Sequence, residues 1–451
     1  MRSDLELALD AAAERSAGDP VADTTFAALG LPERLVTTLA RRGMAAPFAI
    51  QTRAVPDALA GRDVLGRGET GSGKTLAFGL PLLARLAGSP REGRFPRALV
   101  LVPTRELAQQ VHDALQPLAQ PLDLRLAAVY GGASMGRQIS ALRRGVDVVI
   151  ATPGRLQDLV DQRECWLGGV RLTALDEADH MADLGFLPAV RALLDLTPAD
   201  GQRLLFSATL DRGVDALARQ YLTDPAVHAV ASASSPVAAM DHRVFAVQAD
   251  AKVGIAAEIA ARPGRTLFFV RTKHGADRLA LQLRRTGVEA GAIHGNLTQN
   301  ARTRALDAFS RGEARVLVAT DVAARGIHVD DVDLVVHYDP PADAKDYLHR
   351  SGRTARAGSA GTVLSLLLPD QVRQHQRLRE QAGVEANAAA VVPGHPAVRE
   401  LAISGEPIVV QAAPSRPPTA PSSRRPYRGG RPSTGPGGPR RAAPPRAQSR
   451  S

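Results

Sequence analysis

The stretch "LTALDEADHMADLGF" (Leu172–Phe186) sets three carboxylates, Asp176, Glu177 and Asp179, within four positions of each other at the end of an apolar run. Carboxylates this close repel one another and call for a cation. About one hundred residues upstream lies "GRGETGSGKT" (Gly66–Thr75). Its core, Gly68-x-x-x-x-Gly73-Lys74-Thr75, has the glycine spacing of a loop that wraps backbone N–H groups around phosphate oxygens and then opens a helix. The loop residues would be Gly68, Glu69, Thr70, Gly71, Ser72 and Gly73. Lys74 would bring a point charge to the β/γ-phosphates, and the Thr75 hydroxyl would reach Mg²⁺. The chain has four lysines against 52 arginines, so a lysine here stands out from a strong arginine default. Asp176 would then help hold Mg²⁺ through its waters, and Glu177 would polarise an attacking water. Taken singly, each motif keeps a plainer reading: a chance glycine-rich turn, or an acidic helix start favoured by the helix dipole. The pair together favours nucleoside triphosphate chemistry, with a triphosphate and Mg²⁺ as the expected ligands.

These groups need strand ends to stand on. Short apolar runs, "RALVLVP", "VDVVIATP", "RLTALDEAD" and "RLLFSAT", each lead into a polar turn and a helix-like segment. That alternation marks βα units around a parallel sheet, whose carboxyl edge binds ligands. A second series follows from Val244: "RTLFFVRT", "EAGAIHG", "RVLVATD", "DLVVHYD" and "GTVLSLLL". The predicted architecture is α/β, with two tandem parallel-sheet domains. Residues 1–22 read as an N-terminal extension, 23–228 as the first domain, 229–243 as a linker and 244–385 as the second domain. A closing helix starts at Asp370. Residues 386–451 read as a disordered Arg/Pro/Gly-rich tail. The second series has "RTKHGADRL" where a phosphate loop would fall, so one nucleotide is expected rather than two.

Composition narrows the class. The chain has 451 residues, 44% of them hydrophobic, and a net charge of +10. Residues Ala412–Ser451 hold nine arginines and no acid, so the basic balance belongs to the tail and suggests an appended polyanion-binding element. No apolar run approaches the roughly 20 residues needed to span a bilayer. Asp4, Glu6 and Asp10 interrupt the start, so no signal peptide is expected. The single cysteine, Cys165, excludes an internal disulfide, fits a cytoplasmic setting and reads as an inert thiol.

The ordered set of motifs resembles the DEAD-box RNA helicases of superfamily 2, whose domains are RecA-like. "PFAIQ" with upstream Phe26 is similar to the Q motif. "PTRELA" (Pro103–Ala108), "GG" (Gly131–Gly132), "TPGR" (Thr152–Arg155), "SAT" (Ser207–Thr209), "QNAR" (Gln299–Arg302), "ATDVAARGI" (Ala319–Ile327) and "HRSGRTARAG" (His349–Gly358) follow in order. The resemblance implies that Gln51 reads the adenine edge and Phe26 stacks on its face. It puts Thr104, Arg105, Gly132, Thr152 and Arg155, with Gln299, Arg302, Thr320 and Gly326, on the RNA backbone. Asp321 falls near the ribose, and Arg353 and Arg356 act as arginine fingers. Ser207 and Thr209, with Asp179, couple the two sites. The chain departs from the family pattern at Glu69, Phe48, Ser351 and Ala355. The implied activity is ATP-dependent clamping of RNA with local strand separation. The alternatives are a DNA-dependent ATPase and a non-unwinding RNA clamp or scaffold in ribonucleoprotein assemblies.

The tail yields a test of its own. Arginines spaced by glycine suit phosphates and bases without selecting sequence, so the tail is expected to tether RNA. Each phosphate neutralised on a single strand adds about 0.7 to the salt slope of log affinity. Deleting Ala412–Ser451 is expected to lower that slope by roughly 2 to 4 units, read by RNA titrations at several salt concentrations. An unchanged slope would leave the segment as a solubility tag.

Overall fold

In a computed structural model of the chain, residues 3–18, 24–68, 71–87, 95–230, 240–324, 332–354 and 361–404 are described. The apolar runs form strands. The first sheet holds β1 (Val64–Arg67), β2 (Ala98–Leu101), β3 (Leu126–Val129), β4 (Val148–Ala151), β5 (Leu172–Leu175), β6 (Gln202–Ser207) and β7 (Ala226–Ala229). The second holds β8 (Asp241–Ala246), β9 (Thr266–Phe269), β10 (Ala290–Ile293), β11 (Val316–Ala319), β12 (Leu334–His337), β13 (Thr362–Leu367) and β14 (Ala388–Ala390). Their spatial orders are β3-β4-β2-β5-β6-β1-β7 and β10-β11-β9-β12-β13-β8-β14. The second order repeats the first, strand for strand, and the pairs within each sheet are parallel. Helices cover both faces, so the central strands are buried on both sides and read as continuous apolar runs rather than alternating ones. The fold class expected from the sequence, tandem RecA-like α/β domains, is the one observed.

The edges of the two sheets differ from expectation. β14 lies beyond the expected end of the second domain at residue 385. After it, the helix Pro396–Ile403 buries Val398 and Leu401 in the cluster that holds Ile255 and Ile259. Arg262 Nε reaches the Leu401 carbonyl at 3.3 Å, and Gly394 N donates to Glu258 at 2.9 Å. Residues up to Ser404 therefore complete the second sheet instead of starting a tail. Three apolar side chains, with Val391 as the third, suffice to dock a helix this short onto an existing core. On the first sheet, Ala226–Ala229 forms the edge strand β7, and β8 begins at Asp241. The N-terminal helix Asp4–Gly18 lies on β7 with Leu9 buried, and Asp10 pairs with Arg67 at 2.8 Å. Cys165 is buried, and burial pushes its thiol up to about 12, which makes it as inert as expected. The tail beyond Ser404 lies outside the described residues.

The second domain keeps a polar cluster in its core. Tyr347 is fully buried, with its hydroxyl 2.7 Å from His242 Nδ1 and its ring edge-on to His337 and His375. Ser365 Oγ lies 3.2 Å from His375 Nε2. Burial, with the charges of Arg379 and Arg350, lowers His375 to about 4, and His337 falls well below its ordinary range. Both stay neutral in the folded chain while the unfolded chain protonates them near 6.5. Their contribution to stability is therefore intact above pH 6.5 and is lost as pH falls towards 4. His375 alone accounts for about 3 kcal/mol of that loss. Replacing His375 with Gln is expected to flatten the fall in melting temperature between pH 6.5 and 4, as measured by calorimetry.

Candidate nucleotide and nucleic-acid site

The carboxyl ends of the central strands carry the predicted residues. β1 runs into Gly68, whose N–H donates to the Ser207 carbonyl at the end of β6 (3.1 Å). Lys74 opens the helix Lys74–Leu86 and donates from Nζ to the Gly68 carbonyl at 2.6 Å. The loop is thus closed across its base by the lysine itself. Gly71 and Gly73 both sit at φ +90°. A Cβ at Gly73 would fall 2.5 Å from Gln51 Nε2, so only glycine fits both the backbone and the space. Ser72 and Thr75 flank this turn, half-buried. Glu69 and Thr70 lie outside the described residues.

Gln51 is fully buried, and its amide is engaged at both ends. Oε1 accepts from Phe48 N (2.9 Å) and Nε2 donates to the Gly73 carbonyl (2.9 Å). It braces the phosphate loop against the start of the helix Ala49–Leu59, leaving one N–H and one lone pair. Phe26 corrects an expectation. Its side chain is 4% exposed and belongs to the apolar core of the first domain, so it offers no open face for a base to stack on. Phe48 is the exposed aromatic beside the loop, at 60%.

The three carboxylates are separated by their partners. Asp176 is buried, and its Oδ1 accepts from Glu177 N at 3.0 Å. Burial pushes its carboxyl up to about 7 against the pull of Lys74, and the Glu177 charge adds to the rise. Burial would raise Glu177 as well. The hydrogen bond and charge of His180 overcome it, and the charges of Arg353 and Lys74 help bring Glu177 down to about 2. His180 Nδ1 lies 3.1 Å from Glu177 Oε2. Asp179 takes a third set. Its Oδ2 accepts from both N and Oγ1 of Thr209 (2.9 Å each), and its own N–H donates to Ser207 Oγ at 3.1 Å. The expected coupling residues Ser207, Thr209 and Asp179 are therefore one hydrogen-bonded unit. Among the described residues no three His, Cys, Asp or Glu side chains converge as a metal cage. Mg²⁺ ordinarily takes one or two carboxylates with phosphate oxygens and waters. Asp176 in the field of Lys74, with the Thr75 hydroxyl, is a donor set that fits it.

The remaining expected residues cluster along a second line. Thr104 and Thr152 cap helices at the ends of β2 and β4. The Arg105 guanidinium fills the space over Gly132, where φ is +80° and a Cβ would collide with it. Arg155 Nη1 reaches the Ala133 carbonyl at 3.3 Å. From the second sheet, Arg302 Nε and Gln299 Nε2 both reach Glu106 Oε1, at 2.9 and 3.2 Å. Thr320 ends β11, and Asp321 receives a bidentate pair from Arg350 at 2.6 and 2.8 Å. Gly326 and Arg356 lie outside the described residues.

Two family models match the chain: DEAD/DEAH box helicase over residues 48–217 and helicase conserved C-terminal domain over 251–358. The RhlB ATP-dependent RNA helicase of Xanthomonas oryzae is 40% identical over 398 residues, spanning 85% of this chain and 67% of that protein. The chain belongs to the DEAD-box RNA helicase family. A chloroplastic DEAD-box helicase 3A of Zea mays is 43% identical over 371 residues, or 80% of this chain. The chain spans about half the length of the two maize relatives it matches. Among solved structures, S. cerevisiae Dbp5 bound to RNA and ADP BeF3 is 28% identical with a TM-score of 0.73, covering 84% of this chain and 99% of that one. Mss116p bound to ssRNA and AMP-PNP is 25% identical with a TM-score of 0.71, covering 86% and 84%.

Sequence reasoning passed over three residues that the site uses. Glu106 lies inside "PTRELA", yet only its neighbours had been given roles. His180 follows the acidic triplet directly, and a spacing of three on a helix already puts it over Glu177. Arg350 sits inside the quoted finger motif. Among the described residues, no helix is long and apolar enough to cross a membrane.

The raised Asp176 carboxyl gives a test that needs no activity. The unfolded chain ionises it near pH 4 and the folded chain near 7. Above pH 7 the folded state carries the full cost of a buried charge, and below about 4 it carries none. Asp176→Asn is expected to stabilise the nucleotide-free protein by roughly 4 kcal/mol at pH 8, with the gain vanishing near pH 4. Denaturant melts at the two pH values measure it. Equal stability of variant and wild type at pH 8 would show that the carboxylate is comfortably solvated there.

Proposed function

We propose that the chain is an ATP-dependent RNA helicase that clamps RNA across its two sheets, separates strands locally and reopens on hydrolysis. The observation that carries this reading is that the two domains meet beside the nucleotide loop, where Arg302 and Gln299 of the second reach Glu106 of the first, with the charges of Lys74 and Arg353 both acting on Glu177. A hydrolytic site that draws its cations from two domains is complete only when they are closed, and a backbone bound across both domains favours the same closure. Support comes from the family, and from neighbours of this fold that hold RNA with an ATP analogue or ADP BeF3. The first domain, residues 23–228, would supply the loop and acids; the second, from residue 244, the fingers Arg353 and Arg356.

In this reading Lys74 exchanges the Gly68 carbonyl for β/γ-phosphate oxygens. Thr75 and Asp176 hold Mg²⁺, which supplies charge neutralisation on the phosphates when bound. Glu177 is ionised at every pH at which the protein would work, and His180 fixes its direction, so it orients a water for attack. Gln51 reads adenine with its free N–H and lone pair, and Asp321 lies by the ribose. Thr104, Arg105, Gly132, Thr152, Arg155, Gln299, Arg302, Thr320 and Gly326 offer hydroxyl, backbone and guanidinium donors that suit phosphates and carry no base code. Asp179 ties Thr209 to the acid segment and so links the two sites. The arginine-rich tail adds a tether. A cytoplasmic setting fits the single buried thiol.

Glu177→Gln keeps the size of the side chain and loses its charge. RNA-stimulated phosphate release is expected to fall by about two to four orders of magnitude, with ATP still bound and RNA held longer. Near-normal turnover would remove Glu177 from this role. Stimulation by RNA against DNA, and duplex displacement, separate the helicase from a DNA-dependent ATPase and from a clamp.

A further inference from the structure

Lys345 is out of place by local rules. It is the second residue of the helix Ala344–Ser351, capped by Asp343, which accepts from Asp346 N at 2.8 Å. A cation in the first turn of a helix opposes the dipole. It is also a lysine in a chain that uses arginine almost everywhere else. Its partners explain it. Nζ donates to Asp183 Oδ1 at 2.8 Å and lies 3.5 Å from Asp211 Oδ2, both on the first domain. Burial lowers its pKa, but its hydrogen bond to Asp183 and the charges of Asp183, Asp179 and Asp211 leave it raised.

The two acids are not ordinary surface groups. Asp183 ends the helix Ala178–Asp183, which begins directly after Glu177 and contains Asp179. Asp211 caps the helix Arg212–Tyr221, two residues beyond Thr209, and accepts from Gly213 N and Val214 N at 2.9 and 3.0 Å. Lys345's own helix carries Arg350, paired with Asp321, and leads to Arg353. One ammonium therefore touches the helix behind the acids and the helix behind the Ser207–Thr209 unit, from the base of the element that delivers the finger.

We propose that Lys345 is a positioning residue, a latch that holds the two domains closed by pinning the Arg353 element to the helices that follow Glu177 and Thr209. The proposal rests on the helicase reading for its consequence in turnover, but not for the contact itself. The three side chains are about a quarter to a third exposed, so the latch is weak enough to open in each cycle.

Three full-length variants test it: Lys345→Glu, Asp183→Lys and the two combined. Glu at position 345 improves the local helix dipole, so any loss belongs to the cross-domain contact. Lys345→Glu is expected to raise the RNA concentration for half-maximal ATPase by about tenfold. The rate at saturating RNA should stay within about threefold, and the melting temperature should not move. The swapped double variant should return to within about threefold of wild type, a rescue no merely structural role would give. In parallel, energy transfer between dyes on the helices Met135–Arg143 and Lys273–Arg285 reads the domain separation without hydrolysis; buried Cys165 stays unlabelled. Lys345→Glu should lower the transfer and the swap restore it. A wild type that RNA does not stimulate would sink the helicase reading, and the dye measurement would still decide the latch. Energy transfer equal in wild type and Lys345→Glu, or a double variant no better than the singles, overturns it.

Discussion

Three carboxylates within four residues cannot all be buried and ionised unless each is given its own compensation. The site solves this by division. Asp179 is saturated by the Thr209 donors and the backbone of His180. Glu177 takes His180 and the distant charges of Lys74 and Arg353. Asp176 is left with Lys74 and a backbone N–H, and its carboxyl stays near neutral pH. On the function proposed above, one acid is structural, one stays charged, and one would release its proton to solvent when a cation binds. The loop, the finger helix and the segment after β6 are all tied to this arrangement.

The same asymmetry extends across the domains. Glu106 meets Arg302 and Gln299, Asp183 and Asp211 meet Lys345, and Glu177 feels Arg353. In each case the acid comes from the first sheet and the donor from the second. The two sheets repeat one topology, so this division of charge is what distinguishes their facing surfaces. A closed state built this way weakens with salt at the exposed Lys345 end and resists it at Glu106–Arg302, where both side chains are buried. Losing either partner of the buried pair strands a charge, which ordinarily costs about 3–5 kcal/mol.

The central strands were legible because parallel strands buried on both faces read as unbroken apolar runs, and the loop and acid triplet because their spacing is tied to phosphate geometry. The sheet edges were not. β14 is "AAA", without a β-branched residue, and its pattern is exposed throughout; only repetition of the first sheet's order calls for a seventh strand there. The helix after it is held by three apolar side chains within thirteen residues, too few to lift it above a Pro- and Gly-rich background. Phe26 failed for the opposite reason. A motif position implied a ligand contact, while burial in the core of the first domain claimed the ring. Glu106 and Lys345 find these partners across the domain boundary, and no periodicity within one segment records a partner about two hundred residues away.

Several costs in the molecule fall where a ligand could relieve them. Glu177 sits at φ +52°, a left-handed conformation that costs a non-glycine residue about 1–3 kcal/mol. It is held by the turn from β5 into a helix of six residues, too short to impose that geometry by its own hydrogen bonds. Asp176, beside it, carries the burial cost of a carboxylate, and Lys74 spends its charge on a backbone carbonyl. By contrast, the bracing groups around them are saturated: Gln51 at both ends, Asp179 on both oxygens, Arg350 on Asp321. A ligand that binds only the folded chain adds stability that grows with the logarithm of its concentration over its dissociation constant. A polyphosphate with its cation would lift the cost at Asp176 and Lys74 without disturbing any of the braces. The scaffold is therefore rigid where it must aim the groups, and destabilised at the atoms that a substrate would touch.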